Sequence, residues 1–463
     1  MKLRSQYFIY LTAALLAAVT FLRLHAYLDP SGGDGYFYLK QTQWLAQHFA
    51  FYHADYSFVF IPLALLTKIG LSVLTAYQIV SCFSYFMILS CIGFFTFKNL
   101  DSFPKYKFIV TLLLLIAFSF QTPLLRLCFE FIKNGFAISF FLLASVLFYK
   151  KYYKWALAFG ILAALTHKTV ALIFILSLGI LILSLPRISK KLLALGAITV
   201  AVGIALNPRL LKHLLNFIQQ IRVENLNSLF GINSHLNSVH MICLLMWLII
   251  LLSQIKKFKL ENNYQKSFLS ALLFFSIVPL IPMFGGANAE IKWRLMIFSF
   301  CFSFILYVFA LAKIRNLKIV ITTFVLSLAL MSYEFSYQSG YPWIILASRE
   351  VPDIQRLNEF VKPTDELITH HGMQFYIDYQ TPIRAKSLID PDHVPLYQVA
   401  YLPEFFLRND AVKDSVYQRM LVQLGPNYGL FYYEDFKEIV IEFPYLSHWK
   451  NIYKIRPNFV QNY

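Results

Sequence analysis

Leu74-Thr-Ala-Tyr-Gln-Ile-Val-Ser-Cys-Phe-Ser-Tyr-Phe-Met-Ile-Leu-Ser-Cys-Ile-Gly-Phe-Phe-Thr-Phe97 runs for 24 residues without a charge, then meets Lys98. A membrane-spanning helix needs about 20 such residues. This stretch therefore predicts a span, and the same reading carries outward along the chain. Eleven spans are expected: Gln6 to Ala26, Leu74 to Phe97, Lys107 to Gln121, Cys128 to Phe148, Tyr152 to Thr166, Thr169 to Leu185, Leu192 to Leu206, Val239 to Gln254, Phe268 to Gly285, Leu295 to Ala312 and Ile319 to Phe335. Composition agrees, since the 463 residues are 58% hydrophobic and only 14% charged, where a soluble domain carries about a quarter charged.

The net charge of +17 must be located before it is interpreted. Up to Ser336 there are 29 basic and 9 acidic residues; beyond it there are 12 and 15. A basic excess confined to the loops of the apolar part is the positive-inside bias, and it speaks against a nucleic-acid partner. The same bias settles the number of crossings. Lys2 and Arg4 before the first two spans, and Lys98, Lys105 and Lys107 after them, belong on one side. Only one span therefore fits between Ser57 and Phe97, with an interfacial helix from about Phe58 to Ile69 ahead of it. Likewise Lys154 to Pro186 is a hairpin of two short helices with His167 and Lys168 at its outer tip.

The amino terminus is then cytoplasmic and the tail outside, with the first span an uncleaved signal anchor. Residues 1–336 form an α-helical polytopic membrane domain whose first outer loop covers 27–72. Residues 337–463 form a small exported α/β domain. In it Asp353 to Phe360 reads as a short amphipathic helix, Glu366 to Thr369 as a buried strand, and Ile439 to Glu442 as a further strand. Cys82, Cys91, Cys128, Cys243 and Cys301 all fall in apolar runs, as core residues do. The absence of disulfides fits a bacterial inner membrane.

Chemistry is sought in the outer segments. The first loop reads Asp29-Pro-Ser-Gly-Gly-Asp34-Gly-Tyr36-Phe-Tyr38, followed by a helical stretch from Leu39 to His48 and by Asp55. An acid just beyond a span can serve as general base for an acceptor hydroxyl held at the membrane surface, and Asp34 is the candidate. The other reading of Asp29 and Asp34 is turn chemistry, with each carboxylate bonded to nearby amides.

The order of features resembles the GT-C superfamily of polyprenyl-phosphate-sugar-dependent glycosyltransferases. Those features are Asp34-Gly-Tyr-Phe-Tyr-Leu, then Trp44-Leu-Ala-Gln, Pro62-Leu63 opening the interfacial helix, and Gly70 with Ala76-Tyr-Gln-Ile-Val. The chain is similar to the branch of protein O-mannosyltransferases and the lipid A aminoarabinose transferase. Tyr152-Tyr-Lys-Trp155 through Gly160 to Leu165-Thr-His-Lys168 resembles a recurring pattern of that branch, and Asp365-Glu-Leu-Ile-Thr-His-His371-Gly372 resembles its exported domains. The resemblance implies that Asp34 is the catalytic base; Tyr36, Asp29 and Asp55 beside it in the loop are the expected supporting residues. One departure is that relatives often carry a basic residue immediately before the proline of the interfacial helix, where this chain has Ile61.

Donor phosphate must then be bound by other cations. Arg126, Lys133, Lys168 with His167, and Lys292 with Arg294 sit at outer helix ends, where an unpartnered charge near lipid is costly. Arg294 ranks first, because it resembles the arginine that opens a late span in the family; Lys168 and Arg126 follow. Each of these side chains could instead snorkel to lipid headgroups, and Lys133 could pair with Glu130 on its own helix. Glu290 supports the Arg294 segment. His167 reads as a hydrogen-bonding companion, and His370-His371, placed on a strand, would point to opposite faces.

No cofactor is required by this scheme. A divalent cation such as Mg or Mn, if used, would fall to Asp34, Asp29 and Asp55. The expected partners are a polyprenyl-phosphate sugar, a lipid, glycan or protein acceptor, and membrane lipid. A pyrophosphate-linked glycan polymerase or ligase would share the topology. A transporter or a membrane scaffold would share the spans alone, and the chain lacks the internal repeats of many transporters.

Overall fold

The computed structural model describes residues 2–26, 29–30, 34–52, 55–100, 106–184, 246, 249–250, 253, 271–276, 289–311, 322, 325–326, 351–369, 371–386, 395–402 and 410–443. The architecture is that of a helical membrane protein that also carries one small mixed sheet. The chain forms two compact units. The membrane unit comprises Met1–Ala26, Ser57–Val59 and Gln78–Pro342, and the loop-and-tail unit Tyr27–Tyr56, Phe60–Tyr77 and Trp343–Tyr463.

In the membrane unit run α1 (Lys2–His25), α4 (Val73–Asn99), α5 (Lys107–Ser119), α6 (Thr122–Leu125), α7 (Ile132–Tyr149), α8 (Tyr153–Thr166), α9 (Lys168–Ser184) and α10 (Ala289–Leu311). Among the described residues three helices are long and apolar enough to cross a membrane, Tyr7–His25, Val73–Asn99 and Ile132–Tyr149. Counting Lys107–Ser119 with Pro123–Glu130, which meet at a 68° bend, makes four.

The eleven expected spans are reduced accordingly. Tyr153–Thr166 has 14 residues and is too short, Lys168–Ser184 has 17, and the described apolar part of α10 is Ile297–Phe309. The span expected at Leu192 to Leu206, and most of Val239 to Gln254, Phe268 to Gly285 and Ile319 to Phe335, lie outside the described residues.

Within lipid a polar group is costly without a partner in the protein, and several hydroxyls here find one along their own helices, although those of Ser81 and Ser90 on α4 do not. Thr20, Ser84, Thr96 and Thr111 each donate to the carbonyl four residues back. The tertiary packing is aromatic. Phe118 meets Phe300 and Phe304 at 5.6 and 4.4 Å, and Phe141 meets Phe302 at 5.7 Å. Cys82, Cys91, Cys128 and Cys301 are buried thiols; Cys243 lies outside the described residues.

The loop-and-tail unit holds α2 (Gly35–His48), α3 (Phe60–Lys68), α11 (Val351–Gln355), α12 (Leu357–Phe360), α13 (His371–Gln380), α14 (Asp410–Arg419) and α15 (Tyr433–Glu442). Its five strands are β1 (Leu367–Ile368), β2 (Ala385–Lys386), β3 (Tyr397–Tyr401), β4 (Met420–Leu424) and β5 (Tyr428–Tyr432). Their order is β2-β1-β3-β5-β4, with β1 parallel to both neighbours and the β3, β5, β4 half antiparallel. Val412 and Val416 of α14 and Phe436, Ile439 and Val440 of α15 close a core over Ala400, Leu402 and Phe431.

Three expectations for the tail are corrected. Ile439 to Glu442 is not a strand but the end of α15, because Phe436, Ile439 and Val440 recur at helical spacing and Glu434 and Asp435 favour a helix start. Asp353 to Phe360 is two short helices that meet at Arg356. His371 opens α13 and is not on a strand, while His370 lies outside the described residues. The division at Ser336 also differs from the compact units, since the first loop belongs with the tail. The apolar side of α2 explains this grouping: Phe37 packs on Phe375 at 4.9 Å, and Tyr36 on Tyr376 at 4.8 Å.

Candidate active site

Asp34 is the residue from which α2 starts. The helix begins four residues earlier than the expected Leu39, directly behind this aspartate. Gly35 permits that start, because a Cβ there would lie 2.6 Å from Pro30. The Asp34 carbonyl accepts the first helical bond from Tyr38 N–H at 3.2 Å, yet its carboxylate makes no capping bond. The carboxylate thus makes no cap bond to α2, while residues 31–33, whose amides the turn reading would also use, lie outside the described residues. A part-exposed carboxylate stands at the positive end of a 14-residue helix, facing no amide of its own first turn.

Asp29 is spent differently. It is buried, and the Tyr36 hydroxyl donates to its Oδ1. Burial, reinforced by this acceptor, raises the Tyr36 phenol far above its ordinary value, so Tyr36 stays protonated and holds Asp29 to the first turn of α2. Asp55 is part-exposed, and its carbonyl accepts from Gln41 Nε2 at 3.4 Å. No group of three His, Cys, Asp or Glu among the described residues could hold a metal, and Asp29, Asp34 and Asp55 are all described.

A second cluster, missed in the sequence, lies where α2 meets α13. The Lys40 ammonium donates to the carbonyl of Asp378 at 2.5 Å and lies 5.3 Å from the Tyr52 ring centre. The Tyr52 hydroxyl reaches Asp378 Oδ2 at 3.5 Å, and Oδ1 accepts from Ala385 N–H at 2.8 Å. Arg384 is 5.9 Å from the same ring. Burial raises the Asp378 carboxyl to about 6, with the Ala385 amide, Lys40 and Arg384 pulling the other way. Burial also pushes Tyr52 up to about 12 and lowers Lys40. The isolated Asp378 carries no local motif; only its spacing from Phe375, Tyr376 and Tyr379 on α13 marks a docking face.

The expected phosphate ligands fall in the membrane unit. Arg126 and Glu130 lie on a π-helical turn, Arg126–Glu130, and form a two-bond ion pair in which Nη2 donates to Oε1 at 2.8 Å and Nε to Oε2. Glu130 thus takes the guanidinium of Arg126. Lys133 is half-buried in the first turn of α7.

His167 breaks α8 from α9 in an extended conformation and is buried; its Nδ1 accepts from Thr169 N–H at 3.3 Å, which leaves Nε2 to carry the ring proton. Lys168 next to it is exposed. The His167 ring meets Phe298 at 6.5 Å, and position 294 is one turn earlier on the same helix. Glu290, Lys292 and Arg294 are helical in α10, and their side chains lie outside the description. No protein-family model matches this chain, and no curated protein matches it either.

Proposed function

We propose that the protein is a GT-C-type membrane glycosyltransferase that moves a sugar from a polyprenyl-phosphate carrier to an acceptor hydroxyl, with Asp34 as general base. The observation that carries this reading is the Asp34 carboxylate, left without a capping bond at the start of α2 although the position suits a cap. Asp34 takes the proton of the acceptor hydroxyl as its oxygen attacks the anomeric carbon. The bond from that carbon to the carrier phosphate breaks with inversion, and the polyprenyl phosphate leaves with the electron pair.

Lys168 and Arg294 neutralise the leaving phosphate, supported by the contact between His167 and Phe298 that joins the α8–α9 break to the turn after position 294. Arg126, with its charge engaged by Glu130, ranks below them. In this reading the basic loops put Asp34 and the tail on the outer face of a bacterial inner membrane.

Purified protein in nanodiscs is offered labelled polyprenyl-monophosphate sugars, with Asp34→Asn alongside and with a chelator. Turnover that the chelator spares and the substitution removes supports the proposal. No turnover with any monophosphate donor overturns it in favour of a pyrophosphate-linked polymerase or ligase.

A further inference from the structure

Lys40 sits in a place where packing alone would favour an apolar side chain. It is part-buried between α2 and α13, and its charge ends on a main-chain carbonyl. Desolvating an ammonium is costly, and burial lowers its pKa here. The contacts around it are already apolar and aromatic: Phe37 on Phe375, and Tyr36 on Tyr376 and Tyr379 at 4.8 and 5.7 Å. Aromatic faces slide over one another at little cost, whereas a hydrogen bond to one carbonyl defines one rotation and one height. A buried polar group that sets register is an established use of such a residue. Asp378, the owner of that carbonyl, is itself tied to Ala385 N–H and Tyr52 and is 1% exposed, so the acceptor is fixed.

We propose that Lys40 is a positioning residue: its bond to the Asp378 carbonyl sets the rotation and height of α2 on the tail, and thereby the place of the Asp34 carboxylate at the start of that helix. This rests on the reading of Asp34 as general base. The two residues are six positions apart, about 9 Å along a rigid helix, so a turn or slide at Lys40 arrives undiminished at Asp34. A reacting group displaced by about 1 Å loses on the order of 100-fold in rate.

Two readouts test it in the full chain in nanodiscs. In the first, Asp34→Cys is labelled with a soluble thiol reagent in three backgrounds, Lys40, Lys40→Met and Lys40→Arg, with the parent's own cysteines as blank and Lys413→Met as surface control. Lys40→Met is expected to change the labelling rate by about threefold or more and Lys40→Arg to restore it, as a shifted helix start requires. An unchanged rate in Lys40→Met overturns the proposal.

In the second readout, Lys40→Met lowers kcat about tenfold with donor KM unchanged, and Lys40→Arg recovers most of it. Unchanged kcat, or a loss confined to KM, overturns the proposal. If Lys40→Met does not fold, Lys40→Gln replaces it in both readouts. A labelling response in the Asp34→Cys backgrounds, together with full transfer by Asp34→Asn in an otherwise unchanged chain, keeps the register role and overturns the reading of Asp34 as base.

Discussion

The ammonium of Lys40 donates to the carbonyl of Asp378, joining two positions 338 residues apart in the chain. Around that bond the first loop and the tail share one compact unit, so the helix that starts at Asp34 takes part of its support from the tail and part from α3.

Asp34→Asn keeps the shape of the side chain and removes the base. A general base contributes about 10²- to 10⁴-fold, and a loss of that size in kcat is expected with unchanged thermal stability. Full retained transfer in a folded Asp34→Asn protein removes Asp34 from the chemistry.

Asp378 makes stability depend on pH. Its carboxyl is raised from 3.8 to about 6 by burial, so the folded chain holds this proton more tightly than the unfolded one. The stabilisation is complete below about pH 4, declines as pH rises, and is lost above about 6, a difference of roughly 3 kcal/mol. Asp378→Asn cannot ionise and should gain on the wild type in melting temperature between pH 4 and pH 7. Parallel melting curves across that range would contradict the assignment.

Arg126 and Glu130 are a partly buried pair, at 14% and 16% side-chain exposure. Glu130→Gln strands a guanidinium and should cost about 3 kcal/mol, as should Arg126→Gln, while the double substitution recovers most of the loss. Donor KM in the double variant should stay within about twofold of wild type, because this arginine is already engaged. A large rise in KM would return Arg126 to the phosphate site.

Gly135 touches the π-helical turn from the next helix. A Cβ there would lie 2.5 Å from the Leu127 carbonyl oxygen and 2.9 Å from the Cys128 Cα, both of them backbone. Gly135→Ala must push that turn away, and about 1 to 3 kcal/mol of destabilisation is expected by thermal melting.

Where a pattern was local, the sequence was legible. Unbroken apolar runs located Tyr7–His25, Val73–Asn99 and Ile132–Tyr149, and the polar pair His167-Lys168 marked the break between α8 and α9. Asp34 is singled out as a candidate because its loop follows a span. Ile439 to Glu442 misled because a four-residue apolar run suits a strand as well as a helix, and only the longer spacing back to Phe436 decides. The pairing of Arg126 with Glu130 depends on helical geometry that a charge count does not see. Lys40 and Asp378 leave no trace in any window, since neither residue is unusual among its neighbours.

The discontinuity of the loop-and-tail unit also has a time attached. A ribosome adding about 5 to 20 residues per second reaches Asp378 on the order of half a minute after Lys40 has been made. Through that interval α2 has been synthesised and can pack on α3 through Phe37, Tyr38 and Phe60, but the acceptor of Lys40 has not been made, so a nascent protein interrupted before α13 carries Asp34 on a helix that lacks its bond to the tail.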